Sequence, residues 1–204
     1  MKVAAQDFGV HQRVVTIDPA EHVGVVRADL WREDEDAGPP LYTARKGPQL
    51  DGLRPRYGLD VKHWATCRGS EMAIARDAAN KPYGGPLIVL IEGQYIGQDP
   101  QSAIRVVEAR TRWSFAFEIA DPTVQVVVIP AVTWIAGWLG LGSTHGREAI
   151  KIASELSAAT AARALGVPAP KGDSADAFNM FLWWLSHHLA GLPRRFKTAA
   201  ERAR

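Results

Sequence analysis

Residues 86–92, PLIVLIE, are the stretch that decides the fold. Five apolar residues follow one another there, and such a run is typical of a strand that is covered on both faces. A strand of that kind needs helices on either side of its sheet. The flanking sequence predicts them, because residues 68–80 have a helical pattern and Asp99 with Pro100 begins another helix that runs to about Phe117.

Further along the chain in both directions, the sequence predicts a hairpin, a second buried strand and two more helices. These segments are RVVTI at 13–17, HVGVVRADL at 22–30, TVQVVVIPAV at 123–132, and helices over about 147–165 and 173–191. The hairpin is antiparallel, whereas strands joined by helical crossovers pair in parallel. The order therefore predicts an α/β fold with a mixed sheet flanked by helices.

The chain has 204 residues, 47% of them apolar, which predicts one domain with a full core. We assign that domain to residues 13–191, after an N-terminal leader at 1–12 and before a basic C-terminal tail at 192–204. A loop-rich insertion rich in Gly and Pro is expected at about 32–60, with LYTARK at 41–46 as a candidate third strand inside it.

Composition excludes several kinds of site and partner. Cys67 is the single cysteine, so neither an intrachain disulfide nor a cysteine zinc cluster is possible. The formal net charge of +2 is too small to identify a partner. Because there is no signal-peptide pattern and no apolar run of membrane-spanning length, we expect a soluble, cytoplasmic protein with no membrane partner.

Four acidic residues lie at the ends of predicted elements. Asp18 follows the first strand and Glu92 ends the central one, so both should emerge at a carboxyl edge of the sheet. Asp173 and Asp176, in the stretch GDSADAF at 172–178, extend the apolar stripe of the last helix one turn back. Each acid alone also fits a turn or a helix start, but the four together indicate one acidic site.

Clustered carboxylates repel one another, and divalent cations relieve that repulsion. Oxygen ligands alone select Mg²⁺, for which Mn²⁺ can substitute, rather than zinc. Two such ions suit phosphodiester hydrolysis, in which one activates water and the other stabilises the leaving oxygen.

The sequence resembles RuvC-type Holliday junction resolvases, which are crossover junction endodeoxyribonucleases of the RNase H-like superfamily. The pieces that carry the resemblance are TIDPAEHVGVV at 16–26, IEGQYIGQDPQSAIRVVEART at 91–111, WLGLGSTHGREAI at 138–150 and GDSADAFNM at 172–180. The resemblance implies a five-stranded mixed sheet and a homodimer that acts on four-way junctions in branched DNA. It also implies that the four acids are the catalytic metal ligands, with two Mg²⁺ ions per site.

The resemblance also suggests DNA-binding residues. Tyr95 stands where the family carries an aromatic that probes bases at the junction centre. Arg147, with His145 as a neighbouring candidate, lies near the family's basic residue before the penultimate helix. Independently of the resemblance, Lys151 is a candidate because the helix over about 147–165 carries basic residues among alanines that could follow a phosphate backbone. A packed tyrosine and a solvated helix face are the structural alternatives for Tyr95 and Lys151.

The chain departs from the family pattern at several places: the region from 32 to 60 is longer than usual, residues 1–12 precede the usual start, and two further positions differ. Ala20 replaces the glycine after Asp-Pro, and the segment around Trp134 is apolar where the family has a basic position. These departures leave the acids intact and fit a divergent phage-type member, acting in the host cytoplasm, better than a bacterial housekeeping one.

Three functions follow from these patterns. The first is a Mg²⁺-dependent endonuclease that resolves four-way junctions by paired symmetric cleavage in recombination, repair or phage DNA processing. The second is a nuclease with broader specificity for forks and flaps. The third is a non-catalytic junction-binding protein or an actin-like nucleotide-binding domain, although the glycine-rich phosphate loops of the latter are missing.

Overall fold

The computed structural model describes residues 11–19, 22–33, 56–81, 85–93, 100–142 and 144–188. The leader up to residue 10, the candidate strand at 41–46, Tyr95 and the basic tail lie outside these residues. The strands are β1 His11–Asp18, β2 His22–Glu33, β3 Arg56–Cys67, β4 Leu87–Gly93 and β5 Gln125–Pro130. The helices are α1 Glu71–Ala79, α2 Pro100–Ala120, α3 Ala131–Trp134, α4 Arg147–Leu165 and α5 Asp173–His188, with a π-helical turn at Ile135–Leu139 after α3.

The five strands form one mixed sheet in the order β3-β2-β1-β4-β5. β1, β2 and β3 pair in antiparallel fashion, whereas β4 lies parallel to both β1 and β5. β4 and β5 are joined by the helical crossover α2, which fits their parallel pairing. β1 and β4 are parallel neighbours although β2, β3 and α1 lie between them along the chain. The predicted α/β fold, an antiparallel hairpin plus parallel strands flanked by helices, is confirmed.

Helices cover both faces of the sheet. On one face α4 and α5 pack over Val14 and Leu90, and on the other α1 and α2 pack over Val15 and Val89. Neighbouring residues of β1 and β4 therefore enter different cores, as the period of two in a strand requires. This burial on both faces explains the continuous apolar run of PLIVLIE, from which the fold was predicted.

α5 is buried almost all round rather than along one stripe. The predicted stripe of Ala177, Met180, Phe181 and Trp184 is buried, and so are residues on the other faces such as Phe178 and Leu182. Because α5 contacts β1, β2, β3 and β4 as well as α4, it is the central helix of its layer. Its first turn is thus held at a fixed place over the sheet.

The predicted limits of the insertion at 32–60 were wrong at both ends. β2 continues to Glu33, and β3 begins at Arg56 and pairs with β2 along its whole length. Pro55 and Gly58 are turn-forming residues, and they concealed the start of β3 in the sequence. β3 lies at the end of the sheet order, where a strand is less apolar and gives a weaker pattern.

The second buried strand also differs from its prediction. β5 covers only Gln125–Pro130 and most of its residues are exposed or partly exposed, because it too ends the sheet order. The chain enters α3 directly at Ala131. The bounds predicted for α4 are confirmed, and the helix is followed by Gly166, whose φ of 66° is the left-handed conformation that glycine favours. Within the described residues, no helix is both long enough and apolar enough to cross a membrane.

Candidate metal centre

Asp18 and Glu92 meet at the carboxyl edge of the sheet. β1 and β4 are parallel neighbours in which Ile17 lies opposite Ile91, so the next residue of each strand emerges at the same edge. Asp18 is buried, and its carboxyl group makes a side-chain hydrogen bond with that of Glu92. Two apolar strands therefore carry two acids into contact.

The first turn of α5 lies directly on the β1–β2 hairpin. Gly24 is opposite Asp18 in the hairpin, and a Cβ atom added to Gly24 would lie 2.0 Å from the carbonyl oxygen of Asp173. That approach is possible because glycine has no side chain. Gly24 thus allows the backbone of α5 to reach the sheet beside Asp18, and no sequence pattern had indicated this role.

The four predicted acids come together in the fold. Asp18, Asp173 and Asp176 each offer a carboxylate oxygen, and these atoms all lie within 4.8 Å of one another. Glu92 joins the group through its hydrogen bond with Asp18. We refer to these four residues as the acid cluster. Because its ligand atoms are all carboxylate oxygens, the donor set fits Mg²⁺ or Mn²⁺ and does not fit a zinc site built on Cys or His.

Burial and mutual repulsion both disfavour the charged forms of these acids. The pKa of Asp18 lies well above its ordinary value, first because of burial and then because of the charges of Glu92 and Asp176. Burial also raises the pKa of Glu92, and it raises the pKa of Asp176 to about 7. The acid cluster therefore gains stability by binding either protons or cations.

Two hydrogen-bond donors hold individual acids and were missed in the sequence. The indole Nε1 of Trp134, at the end of α3, donates to Oε1 of Glu92 over 2.8 Å. The hydroxyl of Ser154 on α4 donates to Oδ1 of Asp176. Tryptophan and serine carry no spacing signal for such a role, since only the tertiary fold brings them to the acids.

Cationic side chains border the acid cluster on one side. Burial raises the pKa of Asp173, and the positive charges of His22, Lys151 and Arg147 oppose that rise. Arg147 and Lys151 are exposed and one turn apart on α4, and His22 had not been predicted as part of the site. The site is therefore negative at its centre and positive at its rim.

Of the other predicted DNA contacts, His145 has a local role. Its Nδ1 accepts a hydrogen bond of 3.1 Å from the backbone amide of Gly142, in the loop before α4. His145 is exposed, and its part in DNA binding stays a prediction, as does that of Tyr95.

Comparison with known proteins gives similarity at the level of structure only. No protein-family model and no curated protein matches the chain. A solved structure of Thermus thermophilus RuvC is 17% identical and aligns with a TM-score of 0.48, over 88% of this chain and 98% of that one. The T. thermophilus RuvC in complex with a Holliday junction substrate is 15% identical, with a TM-score of 0.49 and the same coverage. At such low identity, the geometry of the acid cluster is what supports a functional conclusion.

We expect Gly24→Ala to disturb both the fold and the acid cluster. The added methyl group would overlap the backbone at Asp173, so α5 must move, which should lower the free energy of unfolding by about 2 kcal/mol. Urea unfolding measures this loss, and titration with Mn²⁺ should show weaker binding. Gly146→Ala is the matched control, because an added Cβ there meets nothing within 4 Å. A Gly24→Ala variant as stable as Gly146→Ala would contradict the close packing of α5 on β2.

The raised pKa of Asp176 predicts an unusual pH dependence of stability without metal. A carboxyl whose pKa rises from 3.8 to about 7 on folding favours the folded state at low pH, and this contribution disappears as the pH rises through 7. In EDTA, the wild type should therefore lose about 2 kcal/mol more than Asp176→Asn between pH 5 and pH 8. Mg²⁺ at pH 8 should restore the stability of the wild type. Parallel stability profiles for the two proteins in EDTA would show that the pKa is not raised.

Proposed function

We propose that this chain is a Mg²⁺-dependent, structure-specific endodeoxyribonuclease, a divergent RuvC-type resolvase that cuts four-way DNA junctions by paired, symmetric hydrolysis. The observation that carries the proposal is the convergence of four carboxylates from β1, β4 and α5 at one edge of the sheet. The sequence pieces that resemble RuvC-type resolvases contain all four acids.

Asp18, Glu92, Asp173 and Asp176 would hold the cations. Asp18 is central, since it contacts Glu92 and lies within ligand distance of the other two. Ligand oxygens of Asp173 and Asp176 both lie within 4.8 Å of one on Asp18, which supports direct binding by Asp173 rather than a supporting role. When bound, two divalent ions would supply activation of the attacking water and stabilisation of the leaving oxygen.

The charges of the site suit a phosphodiester. Four carboxylates alone would repel a DNA strand, so substrate binding would depend on cations at the centre and on positive side chains at the rim. Arg147 and Lys151 are placed to bind phosphates of the strand that is cut. Hydrolysis adds water to phosphorus and breaks its bond to the 3′ oxygen, leaving a 5′-phosphate and a 3′-hydroxyl.

The proposed specificity for four-way junctions requires two active sites. Such a junction has near two-fold symmetry, and a two-fold homodimer presents two sites in matching orientation. An apolar stripe on the outer face of α2 supports a dimer: Ile104, Phe115 and Ile119 are 57%, 58% and 66% exposed. Their spacings of 11 and 4 residues place them on one side of the helix. We propose that this α2 stripe is covered by a second copy of the chain.

Cleavage of synthetic DNA tests the activity directly. With Mg²⁺, the wild type should cut a labelled four-way junction at two symmetric positions, whereas linear duplex should stay intact. Asp18→Asn should lose cleavage by more than about 100-fold, because it removes the charge of the central ligand. The control is Asp77→Asn, which neutralises an exposed aspartate on α1.

Other outcomes of this assay separate the alternatives. Equal rates on junctions, forks and flaps would indicate the broader branched-DNA nuclease. Tight junction binding without cleavage in Mg²⁺ or Mn²⁺ would indicate a non-catalytic junction-binding protein. Full activity of Asp18→Asn would eliminate the proposed site.

A charged residue in the α2 stripe should break the proposed dimer, so that the two strands of a junction are no longer cut together. Phe115→Glu would bury a carboxylate in the dimer contact, so light scattering should report a monomer in place of a dimer. On a supercoiled plasmid carrying a cruciform, the variant should release nicked circles, whereas the wild type should release linear DNA. Ile152→Glu is the control, since Ile152 is 60% exposed but lies on α4. A Phe115→Glu variant that remains dimeric would place the dimer contact elsewhere.

A further inference from the structure

A chain of buried hydrogen bonds leads from the π-helical turn to the acid cluster. Nε1 of Trp138 donates to Oδ1 of Asn179 over 3.0 Å, and Nδ2 of Asn179 donates to Oγ of Ser154 over 2.9 Å. The Ser154 hydroxyl in turn donates to Asp176. Asn179 is fully buried, and Ser154 and Trp138 are nearly so. We refer to Trp138, Asn179 and Ser154 as the polar relay.

The chemistry of the groups gives the polar relay one direction. An indole N–H can only donate, so it fixes the oxygen of the Asn179 amide towards Trp138 and the NH₂ group towards Ser154. Nδ2 of Asn179 also donates to the backbone oxygen of Ser154 over 2.8 Å, which locks the same orientation. With its oxygen already accepting from Asn179, the Ser154 hydroxyl has its single proton available for Asp176. Each group of the polar relay therefore donates to the next one, from Trp138 through Asn179 and Ser154 to Asp176.

The position of the polar relay links two helices at the site. Asn179 lies three residues after Asp176 on α5, so both side chains occupy neighbouring turns of one helix face. Ser154 comes from α4, three residues after Lys151. One oxygen of Asp176 is held by a donor from α4, which restricts the rotamers of its carboxylate and leaves the second oxygen available to a cation.

We propose that Ser154 and Asn179 are positioning residues, which hold the carboxylate of Asp176 in the orientation that binds a divalent cation. This inference rests on the proposed metal-dependent function. Hydrogen-bond partners of metal ligands typically change metal affinity or activity by 10- to 100-fold when they are removed. A polar relay that merely satisfies buried groups would affect stability and leave metal affinity unchanged.

Ser157 provides a matched control on the same helix. It is buried like Ser154, lies three residues further along α4, and its Oγ accepts from the same Trp138 Nε1 over 3.0 Å. It makes no contact with Asp176 among the interactions of the described residues. Ser154→Ala and Ser157→Ala therefore remove the same atom from the same kind of environment. Ser154→Ala loses the bonds to Asn179 and Asp176, whereas Ser157→Ala loses a bond from Trp138 and leaves Asp176 held.

The first measurement is Mn²⁺ binding to the full chain without DNA, monitored by electron paramagnetic resonance of the free ion. The second is the Mg²⁺ concentration that gives half-maximal junction cleavage. We expect Ser154→Ala to weaken Mn²⁺ binding about tenfold, and Ser157→Ala to stay within about twofold of the wild type. Asn179→Ala, which leaves Ser154 in place, should weaken binding in the same direction and also raise the Mg²⁺ requirement. Adding Ser154→Ala to Asn179→Ala should weaken binding by less than the product of the two single effects, because the groups act in series.

The outcomes distinguish this proposal from the proposed function. If Asp18→Asn abolishes Mn²⁺ binding while both Ser154→Ala and Asn179→Ala bind as tightly as the wild type, the positioning role is wrong and the metal centre stands. If the wild type itself binds no Mn²⁺, the metal centre is wrong as well. Should Ser154→Ala not fold, Asn179→Ala decides alone, and Mn²⁺ affinity within twofold of the wild type would overturn the proposal.

Discussion

The architecture depends on keeping four like-charged groups together at one edge of the sheet. Burial raises the pKa of each acid, and repulsion raises those of Asp18, Glu92 and Asp176 further, so the acid cluster opposes folding unless protons or cations bind it. The opposing force is the burial of α5, whose apolar side chains Phe178, Met180 and Phe181 are fully inaccessible to solvent. Each such side chain contributes about 1.5–3 kcal/mol, and together they hold Asp173 and Asp176 against Asp18.

Packing of this kind requires that backbone, and not side chain, fill the space between α5 and the hairpin. Gly24 meets this requirement and lies directly opposite Asp18 in the hairpin. The close approach of the α5 backbone that Gly24 permits therefore occurs beside Asp18, where it brings Asp173 to the acid cluster. On the other side of α5, Ser154 and Asn179 join it to α4 through hydrogen bonds. α5 is therefore fixed by close backbone contact on one side and by directed polar contacts on the other.

Much of the fold and the acid positions could be predicted because both depend on local pattern. The continuous apolar run at 86–92 predicted β4, and the end of that run predicted that Glu92 lies at the edge of the sheet. Of the two strands at the ends of the sheet order, β3 was not predicted and β5 was predicted too long, since a strand with one neighbour has a weaker apolar pattern. Gly24, Trp134 and Ser154 act through contacts between residues distant in sequence, which no spacing rule reveals. Asn179 is a polar residue within the apolar run FNMFLWWL, which is a local sign of a buried hydrogen-bonding role. Its partner Trp138 could be identified only from the structure.

Trp134 changes the electrostatic balance of the site relative to the pattern of RuvC-type sequences. The resemblance places a basic residue in this segment, whereas Trp134 contributes one N–H donor to Glu92 and no charge. A neutral donor orients a carboxylate without compensating its charge, and no positive charge from the described residues acts to lower the pKa of Glu92 or Asp18. The cations that act on the acid cluster from the described part of the chain lie beside Asp173, at the rim. At the centre, the repulsion between the carboxylates is therefore offset by bound protons or, in the proposed function, by divalent ions, rather than by a lysine or arginine from the described part of the chain.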